Sequence, residues 1–232
     1  NGTTPLATES GFAEGESAGF TFTGSQTEVG ESDNAFTVNW DGNAKESNYD
    51  VTIEFGTLKV TEQAIVPGPD PENPDPSYKG IQINDPSDVP YNGQVQKWTP
   101  IVTDASDKVL TEGTDYTVSY DKDDFTNVTG VIKVTITGKG NYTGSVTKNY
   151  QILPREYTVE TDGDSKTYNG EPLTAAGYKV ENVLEKDGYS FKTTGSQTEV
   201  GESDNTYEMT WNDKASENNY KLKSETLGKL VV

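Results

Sequence analysis

The eleven residues Gly-Ser-Gln-Thr-Glu-Val-Gly-Glu-Ser-Asp-Asn occur twice in this chain, at 24–34 and again at 195–205, 171 positions apart. At the same offset the match spreads outward. Phe20 falls on Phe191, Trp40 on Trp211, Ala44 on Ala215, Glu46 on Glu217 and Asn48-Tyr49 on Asn219-Tyr220, giving 18 identities over the 30 positions 20–49. Self-similarity of this kind means that one structural unit has been used more than once, and it limits the architecture before any other feature does.

The stretch between the two copies is a more distant relative of both. Tyr-Asn-Gly stands at 91–93 and at 168–170, and Asn-Tyr at 48–49, 141–142 and 219–220. Tyr91 to Tyr142 spans 51 positions and Tyr168 to Tyr220 spans 52. A last strand of some eleven residues follows each Asn-Tyr and ends near Val60, Leu153 and Val232. This frame predicts three small modules, 1–66, 77–153 and 154–232, with residues 67–76 as a linker. The linker reads Pro-Gly-Pro-Asp-Pro-Glu-Asn-Pro-Asp-Pro, a stiff, extended spacer by composition. The joint at Leu153-Pro154-Arg155 has almost no length. Asn1-Gly2 aligns with Asn169-Gly170, so the first module is expected to lack the strand that the third has near Tyr157–Tyr168. The edge left open would invite strand pairing.

Within the modules the periodicity is two. Phe36, Val38 and Trp40 alternate with polar residues, as do Tyr207, Met209 and Trp211, Ile132, Val134 and Ile136, and Tyr116, Val118 and Tyr120. Alternation rich in aromatic and β-branched residues predicts half-buried strands. Asn92-Gly93, Asn169-Gly170 and Gly138 to Asn141 supply turns. Helical periodicity is weak, with room for one turn at 43–48 and one at 214–219. The expected class is all-β: tandem Ig-like sandwiches or small β-grasp-like sheets in an elongated array.

Composition removes whole classes of function. There is no Cys and no His, so thiolate metal sites, disulfides, Cys nucleophiles and imidazole acid–base chemistry are excluded. The net charge of −20 is spread along the chain and repels phosphate backbones, so no nucleic-acid partner is expected. No stretch approaches 18 apolar residues, so no helical membrane insertion is expected.

The Tyr-Asn-Gly turn, the repeated eleven residues, the strand ending in Trp, and Ala-x-Glu-x-Asn-Tyr together resemble the MBG-type repeats of bacterial cell-surface, mucin-binding-like proteins. Leu110 to Tyr120 and Val134 to Ile152 resemble the Ig-like repeats of the same large proteins. The resemblance implies a secreted, non-catalytic repeat region, cell-wall-anchored through parts outside this sequence and acting as the stalk or spacer of an adhesin. Two alternatives stand beside it. The modules themselves could bind host mucin, glycan or matrix protein, or serve as spacers in a surface polysaccharide-degrading enzyme. No cofactor is expected, and the isolated chain is expected to be monomeric.

Individual residues point weakly to chemistry. Trp40 and Trp211 lie in phase with core strands. Trp98, between a turn and Pro100, is the one aromatic candidate for stacking on a sugar ring. Asp121 to Asp124 and Asp162-Gly163-Asp164 offer oxygens to Ca²⁺, but the spacing of an EF-hand loop is absent and solvated turns are expected. Paired carboxylates could hydrolyse glycosides, but small modules give no deep cleft. A lysine buried on a strand, Lys133 or Lys148, could close an isopeptide bond to Asn or Asp; alternation points Lys133 outward.

Overall fold

The computed structural model describes residues 10–40, 43–68, 80–212 and 217–232. It is all-β. Among these residues no helix exceeds a single turn, and the one at Glu46–Asn48 falls where the sequence left room for it. The chain divides into two compact units, 1–82 with 103–117 and 137–146, and 83–102 with 118–136 and 147–232. Neither coincides with one of the three sequence segments.

In the first unit the strands Gly19–Phe22 and Phe36–Asn39 pair antiparallel, Phe20 opposite Val38 and Phe22 opposite Phe36. Their aromatic residues share one face: Phe36 lies edge-on to Phe20 and, outside the pair, to Phe55, with centroids 5.4 and 5.5 Å apart. Gly30–Asn34, from the repeated segment, pairs antiparallel with Gly56–Val60. Gln63–Ala64 runs parallel to Tyr142–Thr143, and the Ile65 N–H reaches the Thr143 carbonyl at 2.9 Å. The chain has therefore paired with a strand of the following segment, in a two-stranded sheet of its own, before the proline-rich run begins. Prolines report local stiffness and not which strand the residues before them join. The run itself falls almost wholly outside the described residues.

A four-stranded sheet has the order Val89–Pro90, Ser145–Leu153, Val131–Gly138, Tyr116–Tyr120. Ile132, Val134 and Ile136 are fully buried on it while Lys133 faces out, as period-two alternation requires. A second sheet sets Arg155–Thr161 between Tyr178–Glu181, antiparallel, and Tyr220–Thr226, parallel. The hairpin Tyr189–Thr193 with Tyr207–Trp211 repeats the pairing of the first copy, Phe191 opposite Met209 as Phe20 is opposite Val38.

The two copies differ in the residues that follow their Asn-Tyr pairs. In the second copy the residues from Tyr220 on form a strand held by Arg155–Thr161. In the first, residues 50–55 form no strand, none of the described strands pairs with them, and Val51, Ile53 and Phe55 are about half exposed.

Candidate functional site

A tightly built polar cluster lies in the second unit, where the 77–153 and 154–232 segments meet. Asn219, of the third Asn-Tyr pair, is 1% exposed. Its Oδ1 accepts the backbone N–H of Val128 at 2.8 Å, its Nδ2 donates to Asn127 Oδ1 at 2.8 Å, and its carbonyl accepts the Arg155 N–H at 2.8 Å. Asp124 presents the acceptor loop: its carboxylate takes the N–H groups of Thr126 and Asn127 and the Asn127 side-chain amide. Those bonds hold the Asp124 carboxyl below its ordinary pKa.

Beside this clamp Tyr91, Ile152 and Tyr220 form one core cluster, with Val128, Tyr157 and Trp211 packed against it. Trp211 stacks on Tyr220 at 4.5 Å between centroids, and Tyr157 meets Trp211 edge-on. The Tyr91 and Tyr220 hydroxyls both donate to Asp187 Oδ2, at 2.9 and 2.7 Å, and Lys186 Nζ lies 3.0 Å from the Tyr91 hydroxyl and 3.2 Å from Asp187 Oδ1. Burial pushes the Asp187 carboxyl up, but the hydrogen bonds from Tyr220, Tyr91 and Lys186, with the Lys186 charge, reverse this and leave it below the usual value. Burial, together with Asp187, raises Tyr220 well above an ordinary phenol, the Leu184 N–H only partly opposing. A buried carboxylate with three donors is a satisfied structural group.

The same clamp recurs in the first unit. Asn141 Oδ1 accepts the Val29 N–H at 3.1 Å, Asn141 Nδ2 donates to the Glu28 carboxylate, and the Asn141 carbonyl accepts the Gln63 N–H at 2.9 Å. Asn141 and Asn219 thus make the same three bonds, each to a valine N–H, to the side chain before that valine, and to the N–H opening a parallel strand. Sequence reading identified the Asn-Tyr pairs as punctuation but missed this role. A usable signal was present: Thr-x-Val at 27–29, 126–128 and 198–200.

The residues singled out by sequence are placed as follows. Trp98 is half-buried against the Ile132, Val134 and Tyr150 cluster; its carbonyl accepts the Tyr120 hydroxyl and its backbone N–H reaches the Tyr150 hydroxyl. A groove of about 510 Å³ passes it, lined also by Asn84, Gln96 and Lys97. Trp40 and Trp211 are half-buried against Tyr49 and Tyr220. Asp121 accepts the Lys133 N–H, and Lys148 pairs with Asp85. Among the described residues no group of three or more acidic side chains is placed to hold a metal ion.

A groove of about 480 Å³ lies in the first unit, lined by Phe12, Phe20, Phe36, Trp40, Tyr49 and Ile53 among others. In the second copy Tyr157, on the strand Arg155–Thr161, packs against Trp211 and Tyr220, the counterparts of Trp40 and Tyr49. No known protein family, curated protein or solved structure matches the chain.

Proposed function

We propose that this chain is the non-catalytic repeat region of a secreted bacterial cell-surface protein, an acidic stalk built of three modules that carries a binding head away from the surface. The observation supporting this reading is the recurrence of one asparagine clamp, at Asn141 and at Asn219. A binding site needs to occur once; a joint repeated with the same bonds serves serial assembly, where each module contacts only its neighbours. Small-angle X-ray scattering on the chain tests it. A rod-like profile is expected, and a compact one would overturn the stalk.

A second reading, adhesion by the modules themselves, draws on the aromatic groove around Trp40. It predicts binding to immobilised mucin or to a glycan array that Trp40→Ala abolishes. The stalk reading predicts no binding at either surface.

A further inference from the structure

We propose that the tip Thr198-Glu199-Val200, with Tyr168 beside it in role, is a docking face for another module of this same design, which would present its Asn-Tyr corner to the Val200 N–H. The inference rests on the stalk reading and names the contact by which such an array continues. The chain itself shows the occupant, because two of its three Thr-x-Val tips are already seated. Val29 is clamped by Asn141 and Val128 by Asn219, and both valines are half-buried. Val200 is 77% exposed, and no described residue accepts its N–H.

The free tip has the geometry of the seated one. Gln197 Nε2 donates to the Glu199 carbonyl at 2.8 Å as Gln26 Nε2 donates to the Glu28 carbonyl at 2.7 Å. Ser203 Oγ reaches the Ser196 carbonyl as Ser32 Oγ reaches that of Ser25. Gly201 and Gly30 take the matching positive φ of 151° and 142°, which a side chain would resist. Glu199 stands where Glu28 and Asn127 receive the asparagine amide. The tip is thus shaped before it binds, which lowers the ordering cost of docking.

Tyr168 adds an independent mark on the same segment. Its counterpart Tyr91 is 1% exposed, closed over by Asp187 and Lys186 of the following segment. Tyr168 is 52% exposed. A phenol and a valine that are covered at one joint and bare on the next segment define a surface chosen for a module carrying an asparagine and a carboxylate.

The test extends the full chain beyond Val232 with a second copy of residues 154–232, which reproduces the Leu153-Pro154-Arg155 junction as Val-Pro-Arg. Hydrogen exchange is then read at the Val200 and Val128 amides. Val200 is expected to exchange roughly tenfold more slowly in the extended chain, the worth of one hydrogen bond. The protection should vanish when the appended asparagine equivalent to Asn219 becomes Ala. Unchanged exchange at Val200 with Val128 still protected overturns this inference and leaves the stalk reading standing. Loss of Val128 protection in the parent chain removes the joint, and both readings fall. An appended copy that does not fold also counts against docking, since residues 154–232 do fold against the seated tip.

Discussion

The Asn219 carboxamide accepts the backbone N–H of Val128 at 2.8 Å across 91 positions of sequence. It is buried to 1% exposure and spends its other side-chain group on Asn127. Asn219→Ala therefore removes two hydrogen bonds and strands the Val128 N–H, at a cost of about 2–3 kcal/mol. Asn141→Ala removes the matching pair from a residue that is only partly buried, where water can reach the groups left behind, so its cost is expected to be smaller, about 1 kcal/mol or less. Urea unfolding of the two variants measures the difference. Equal losses would mean that the buried clamp is no more important than the solvated one.

The Asp187 carboxylate makes the second joint sensitive to acid. Its pKa is lowered in the folded state, so its contribution to stability is fully present above the ordinary carboxylate range. That contribution is lost as pH falls through the lowered folded value. Protonation places a hydrogen where Tyr91 and Tyr220 both donate. Thermal unfolding followed from pH 7 down to pH 2 is expected to show a larger fall for the parent chain than for Asp187→Asn, whose side chain does not titrate. Parallel curves would remove Asp187 from the acid response.

These two residues show what could and could not be read in the sequence. Period-two alternation marked Ile132, Val134 and Ile136 as core and Lys133 as outward, since a strand buried on one face writes its geometry into consecutive positions. The repeat aligned Trp40 with Trp211, and both sit against the tyrosine of an Asn-Tyr pair. The clamp was not legible, because Asn219 and Val128 are joined through a backbone N–H, which has no residue identity. Asp187 looked like one acid among 38; only folding brings Tyr91 and Tyr220 onto it. The pairing of Gln63–Ala64 with Tyr142–Thr143 was not legible either, because the composition of the proline-rich run describes that segment and not the pairing of its neighbours.

Alkali acts on a different pair. Burial, and the hydrogen bond it donates to Glu225, push Tyr207 up to about 12, and Tyr220 is raised further. For a phenol raised in the folded state, stability is intact below the unfolded value near 10 and falls as pH climbs toward the folded one. Tyrosinate absorbance is expected to show a late-ionising class that loses one member in Tyr207→Phe. An unaltered late class in that variant would show that Tyr207 ionises with the others.

Gly93 and Gly170 separate joint packing from backbone strain. Both sit in Tyr-Asn-Gly turns at positive φ, 75° and 83°, where a side chain costs roughly 1 kcal/mol or more. A Cβ on Gly170 would meet nothing within 4 Å, whereas one on Gly93 would stand 2.2 Å from Lys186 Cε and 3.0 Å from Leu184 Cδ1. Lys186 is half exposed and can swing away, but doing so gives up its contacts with Tyr91 and Asp187. Gly93→Ala is therefore expected to destabilise more than Gly170→Ala, and Lys186→Ala should remove most of the excess. Chemical denaturation of the two glycine variants, alone and with Lys186→Ala, gives that coupling directly. If both glycines cost the same, Lys186 does not close over Tyr91 in solution, and the second joint is held without it, by Asn219, Asp187 and the Tyr91–Tyr220 packing.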